Sequence, residues 1–131
     1  MNVNATIIDR IRTDYEHFPR NQSYELYDQN VAFKDPLNQF SGVDRYRWMI
    51  GLLERLFTDH RIDLHEITHP QPNRVTTRWT LSMTAKLPWQ PQLSIPGHSD
   101  LMLNEQGLIV SHIDDWSCSR WDVLKQVWQP R

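Results

Sequence analysis

The stretch from Arg61 to Trp116 constrains this chain more than any other. At its centre, over Arg74–Leu87, Val75, Thr77, Trp79, Leu81 and Met83 alternate without a break with Thr76, Arg78, Thr80, Ser82 and Thr84. A period of two puts the first set on one face of a strand and the second on the other, which predicts one buried and one polar face. Around it, Arg61–Thr68, Gln92–Asn104 and Leu108–Trp116 also read as strands, separated by Pro-rich or Gly-containing turn signals. Four long strands in succession predict a curved antiparallel sheet.

The residues before this stretch have a helical period. Ile8, Ile11, Tyr15 and Phe18 line one face of a helix over Ala5–Phe18, which Pro19 ends. A short helical turn is predicted over Ser23–Asp28, then a brief strand over Val31–Asp35 that stops at Pro36. Ser41-Gly42-Val43-Asp44 has the capping-box pattern, and Val43, Tyr46, Ile50, Leu53 and Phe57 continue the stripe of the helix it would open. Ser119-Arg120-Trp121-Asp122 repeats that pattern. It predicts a closing helix with Trp121, Leu124 and Trp128 on one face, lidding the open end of the sheet. The fold class is therefore α+β: N-terminal helices packed on a strongly curved, mostly antiparallel sheet that forms a cone-shaped half barrel, with a C-terminal helix. Where helices and curved sheet do not fill the space between them, a concave pocket of small-molecule size remains.

A length of 131 residues suits one core, so a single domain over 1–131 is predicted. The hydrophobic share of 39% and charged share of 23% are those of a globular chain, and six Trp, four Tyr and four Phe supply bulky wall material. A net charge of −2 with no long Lys/Arg run argues against nucleic acid as a partner. No stretch approaches the roughly 20 apolar residues that span a bilayer, so no membrane insertion is expected. The lone Cys118 cannot form an internal disulfide, and Met1–Tyr15 lacks the apolar core of a signal segment, which together predict a cytoplasmic location.

Several kinds of chemistry find no pattern here. His60, His65 and His69 are spread through one strand region without the helical His spacing of zinc sites, so no metal and no cofactor is expected. A phosphate-cradling Gly loop and a G-x-S-x-G elbow are both missing, and Cys118 carries no nucleophile signature. Three residues stand out as candidate catalytic groups. Asp35 closes the first strand just before Pro36, while His112 and Asp114 share one strand face with Trp116. A carboxyl group walled by Trp116, Trp79 or Phe33 would have its charged form disfavoured, moving it towards the range of a general base, with His112 orienting it or shuttling a proton. Plainer readings compete with each. Asp35 can be a turn former, His112 and Asp114 a structural hydrogen-bond pair, and the tryptophans core. The polar face around Arg78 and Thr80 suits either solvent or a flat sheet-on-sheet contact, hence a homodimer.

The order of elements, with Val31–Gly42 and Gly107–Trp116, resembles the superfamily of nuclear transport factor two, SnoaL-type polyketide cyclases and ketosteroid isomerase. More closely, the chain resembles an uncharacterised family of cyanobacterial and plant-plastid proteins within it. The phrases that carry this closer likeness are Val-Ala-Phe-Lys-Asp-Pro-Leu-Asn-Gln-Phe-Ser-Gly-Val-Asp-Arg-Tyr and Gly-Leu-Ile-Val-Ser-His-Ile-Asp-Asp-Trp-Ser-Cys-Ser-Arg-Trp-Asp-Val-Leu-Lys-Gln. The resemblance implies that Asp35 matches the isomerase's proton-moving base and Trp116 its pocket-wall Trp, turning Leu108, Val110, His112 and Asp114 inward. Ser99 stands where that branch has a protonated carboxylic acid, and Tyr15 lies near the place of its partner Tyr. The expected function is a domain binding a hydrophobic small molecule in an apolar pocket, with Tyr15, Phe33, Trp79, Ser99 and Trp116 as contacts and Asp35, His112 and Asp114 for acid–base chemistry of the isomerase or cyclase type. The alternative is a non-catalytic interaction or dimerisation module.

Overall fold

Over residues 3–129, the span that the computed structural model describes, the chain runs α1 (Val3–His17), a 3₁₀ turn (Tyr24–Leu26), β1 (Tyr27–Lys34), β2 (Gln39–Ser41), α2 (Val43–Leu56), β3 (Phe57–Gln71), β4 (Arg74–Ala85), β5 (Gln92–Leu103), β6 (Ile109–Trp116) and α3 (Arg120–Val127). Residues 1, 2, 130 and 131 of the domain expected over 1–131 lie outside the described residues. The six strands form one curled sheet in the order β2-β1-β6-β5-β4-β3. Every pairing is antiparallel except β1 with β6, which is parallel. The fold is thus the α+β cone that the helical and strand periods predict.

The alternation in Arg74–Ala85 does what its period requires. Val75, Thr77, Trp79 and Met83 are buried on the inner face, while Arg78 is exposed on the outer one. The inner face meets three helices. Ile7 and Ile11 of α1 join Leu26, Val31, Val75, Leu101, Leu103 and Ile109, while Tyr46 and Ile50 of α2 join Phe33. A third cluster at the other end holds Trp79, Met83, Leu93, Ile95 and, from α3, Val123.

The structure corrects several local expectations. Tyr27 and Asp28 belong to a strand, because the helical turn stops at Leu26, and β1 runs four residues earlier than predicted. Gln39–Ser41 forms a short strand paired antiparallel with β1, too brief to show any period in the sequence. With Ser41 in that ladder, the capping box expected before α2 does not form. Gly42 is the N-cap at φ 108°, a conformation open to glycine, and its N–H donates to Val31 O. Phe57, placed last on the α2 stripe, instead opens β3.

The apolar face assigned to the last helix is also reversed. Val123 is 7% exposed and docks on the sheet, whereas Trp121, Leu124 and Trp128 are 66%, 49% and 75% exposed. What fixes α3 is polar: Gln126 exchanges hydrogen bonds with both backbone groups of Ser94, and the Trp89 Nε1–H donates to Val127 O at 2.6 Å. The second capping box is formed as predicted, with Ser119 and Asp122 bonded reciprocally.

In β6 a bulge sets the inward residues. Pairing with β5 shifts between Met102 and Leu103, so Ser111 faces Met102 but Ile109 faces Leu103. The extra residue turns Ile109 into the core in place of Leu108 and Val110.

Candidate functional site

The helices and curled sheet leave a cavity of about 390 Å³. Its wall is mostly apolar, and its mouth is marked by lining residues that are also exposed, Leu37 after β1 and Leu124 on α3. A volume of this order is that of an ordinary small-ligand pocket.

At the closed end a polar row crosses three strands. Register opposes Thr77 of β4 to Ser99 of β5, and Ser99 to Asp114 of β6, all on the inner face. Burying such groups is costly unless each is bonded, and here each is. The Ser99 Oγ–H donates to Asp114 Oδ1 at 2.5 Å and accepts the Trp79 Nε1–H at 2.8 Å. Tyr15 reaches down from α1, its hydroxyl 2.7 Å from Thr77 Oγ1 and 3.4 Å from Ser99 Oγ.

His112, two residues before Asp114, adds a second bond to the same oxygen, its Nε2 lying 2.7 Å from Oδ1. Its Nδ1 is 3.2 Å from the Tyr27 hydroxyl, which lies 3.5 Å from that of Tyr46. Phe33, opposite His112 in the parallel β1–β6 ladder, packs against the imidazole at a centroid distance of 5.1 Å. The ring has two self-consistent hydrogen-bond states. With Tyr27 donating to Nδ1 it is the neutral Nε2–H tautomer; with Nδ1–H donating to Tyr27, whose proton turns to Tyr46, it is doubly protonated.

Both bonds to Asp114 thus fall on Oδ1. Among the described residues Oδ2 has no hydrogen-bond partner, and Asp114 lines the cavity. The other two carboxyl groups on the wall are committed. Asp14 receives the N–H of Ser23 on Oδ2 and its hydroxyl on Oδ1. Asp35 receives the N–H groups of Leu37 and Asn38 on Oδ1, at 2.8 and 2.6 Å, and the Asn38 amide on both oxygens. Burial raises the Asp14 carboxyl above its usual value, opposed by the Ser23 bonds. It also pushes the phenols of Tyr15, Tyr27 and Tyr46 far up, with the charge of Asp114 adding to the effect at Tyr15. These three tyrosines stay protonated, so they are hydrogen-bonding groups and not bases.

Of the residues singled out from the sequence, Asp35, His112, Asp114, Tyr15, Trp79, Ser99 and Trp116 all line the cavity, and Phe33 lies behind His112. Asp35 stands apart from the Tyr15–Ser99–Asp114–His112 network, at the turn after β1. Asp14, Tyr27 and Tyr46 went unrecognised as site residues. A tyrosine on an apolar helix stripe, as Tyr46 is, needs a buried partner for its hydroxyl, and that was the available signal. Among the described residues, no group of three His, Cys, Asp or Glu is arranged to hold a metal ion.

Helices packed on a curled, mostly antiparallel six-stranded sheet around an apolar cavity make the nuclear transport factor two-like cone fold. Three solved structures share that fold along nearly their whole length. A protein from Jannaschia sp. CCS1 described as a SnoaL-like polyketide cyclase superposes with a TM-score of 0.78 at 10% identity, over 97% of this chain and 94% of its own. A polyketide cyclase-type protein from Silicibacter sp. TM1040 gives 0.75 at 18% identity, covering 95% of each chain. A hypothetical protein with a ketosteroid isomerase-like fold from Catenulispora acidiphila, solved in complex with trimethylamine, gives 0.73 at 15% identity over 95% of this chain and 97% of its own. Within this fold the chain belongs to the family described as "Uncharacterized conserved protein (DUF2358)", which matches residues 5–112. No curated protein matches the chain.

Proposed function

We propose that this protein binds a largely apolar small molecule in the cavity and exchanges a proton with it through Asp114. The observation that carries the reading is the asymmetry of that carboxyl group. Oδ1 is fixed by Ser99 and His112, Oδ2 has no partner among the described residues, and Asp114 lines the cavity. A base held by one oxygen and open at the other is oriented before a ligand arrives, and this lowers the cost of reaching the reactive geometry. Oδ2 takes a proton from an acidic N–H, O–H or C–H of the ligand and returns it to another atom of the same molecule, as an isomerase or cyclase requires.

The two hydrogen-bond states of His112 let Oδ1 keep its partner through that cycle. Ser99 and Tyr15 have another task than the donor pair of the isomerase branch, because the Ser99 proton is directed at Asp114 and not at a ligand oxygen. The developing negative charge therefore has to be small, which favours substrates that lose a relatively acidic proton.

The test is a thermal-shift screen of apolar compounds against the wild-type chain, Asp114→Asn and Asp35→Asn. Ligands that raise the melting temperature of the wild type should keep their effect on Asp35→Asn and lose most of it on Asp114→Asn. Equal shifts on Asp114→Asn would sink the assignment of Asp114.

A second reading, a dimerisation or interaction module, is favoured by the exposed Trp121, Leu124 and Trp128 stripe beside the stacked Trp89–Trp128 pair. Sedimentation of the wild-type chain against Trp121→Lys/Trp128→Lys separates the two, since a homodimer built on that stripe would become a monomer. A reducing, cytoplasm-like compartment and a cyanobacterial or plastid origin belong to the same proposal. They rest on the lone Cys118 and on the phrases around Val31–Tyr46 and Gly107–Gln126. No helix among the described residues is long and apolar enough to cross a membrane.

A further inference from the structure

Apart from its tyrosines, carboxyl groups dominate the ionisable side chains of the cavity wall. Asp14, Asp35 and Asp114 line it together with one imidazole, and no lysine or arginine does so among the described residues. The nearest basic partner of Asp14 is Arg10, which lies off the wall and is ion-paired with Glu25. Whichever form His112 takes, the wall carries more negative than positive charge. Carboxylates inside an apolar enclosure are screened less than they would be in water, so their field on a bound ligand is strong.

Two of the three carboxyl groups receive hydrogen bonds on both oxygens, and Asp114 receives them on one only. The rings of Trp79, Trp116, Tyr15 and Tyr27 line the same cavity as Asp114, and the two phenols keep their protons. Aromatic faces attract cations and give nothing to anions. A carboxylate ligand would meet three carboxyl groups and no lysine or arginine, at a cost that apolar burial does not offset.

From this wall we infer that the cavity selects an apolar ligand bearing a protonated nitrogen, whose N–H donates to Asp114 Oδ2. This rests on the reading of the cavity as a ligand site and narrows it to a substrate class, amines over fatty or aromatic acids. The ammonium is then also the proton donor that Oδ2 faces.

The experiment is calorimetric titration at pH 7 with three probes of one shape, phenylpropylamine, phenylpropanol and phenylpropanoate. The amine should bind about tenfold or more tightly than the alcohol, which is the contribution of a charge-assisted hydrogen bond, and the carboxylate should bind most weakly. Asp114→Asn should bring the amine down to the level of the alcohol. Asp114→Glu, which keeps the charge, should preserve the preference and covers the case in which the Asn variant does not fold. Alcohol and amine binding equally well to the wild type would overturn the cation preference while leaving the cavity a ligand site. Binding of none of the three would overturn both. An amine preference that survives in a folded Asp114→Asn would show that the nitrogen sits elsewhere, and the assignment to Oδ2 would fall.

Discussion

Gly97 lies on β5 directly between Trp79 of β4 and Trp116 of β6. A methyl group there would sit 2.6 Å from Trp79 Cη2 and 2.7 Å from the Asp115 carbonyl, both inside van der Waals contact. The missing side chain is what lets the Trp79 indole cross β5 and deliver its Nε1–H to Ser99. Gly97→Ala should therefore destabilise the fold by about 1–3 kcal/mol, the usual cost of overpacking. Urea unfolding gives that number, and loss of the Trp79 indole bond should appear as a shift of its N–H resonance. That His112, Asp114 and Trp116 share one face was legible because a strand's period is strict, whereas that the face is the inner one came only from the resemblance. The partners were not. That Asp114 meets Ser99, and that His112 meets Tyr27, depends on cross-strand register and on where β1 begins, neither of which residue types reveal. The plain reading of Asp35, a turn former before Pro36, is the role its hydrogen bonds describe.

At the scale of elements, the cap of α3 and the faces of α1 and α2 were legible, while the cap of α2 and the face of α3 were not. Ser119 caps α3 because nothing competes for it, whereas Ser41 is drawn into β2 and leaves the start of α2 to Gly42. Trp121, Leu124 and Trp128 misled because apolar spacing identifies a helix and a stripe but not which stripe the sheet receives. Val123 and Val127, smaller and fewer, fit against β5. The capping box also carries a pH dependence. Backbone and side-chain bonds from Ser119 hold the Asp122 carboxyl below its usual value of 3.8. A carboxyl group lowered in the folded state stabilises above its unfolded value, and that stability is lost as pH falls through the folded one. The last helix should thus loosen in acid below about pH 3.8. Ser119→Ala should cost about 1 kcal/mol at neutral pH and flatten that acid response. Monitoring α3 amide exchange across pH checks both. Asp14 contributes with the opposite sign: its carboxyl is raised by burial, so its ionisation opposes folding above the ordinary value and acid relieves the cost.

For the whole molecule, the fold class was available from two periodicities, helical before Phe57 and strand-like after it, but the sheet order was not. Nothing in the local pattern of β1 announces that its neighbour on one side is β6, roughly eighty residues away. That single parallel pairing joins the N-terminal α1–β1–β2–α2 segment to the long meander and completes the wall behind His112. A chain cut after Gln106, which keeps both long helices and three long strands, should consequently show no cooperative unfolding transition by circular dichroism.

The same pairing bears on synthesis. As the polypeptide leaves the ribosome from its N-terminal end, one edge of β1 emerges early and stays without its partner while α2 and three long strands are made. Until Trp116 has cleared the exit tunnel, that exposed edge is open to pairing with other nascent chains, so β1 is safe only once β6 has been made.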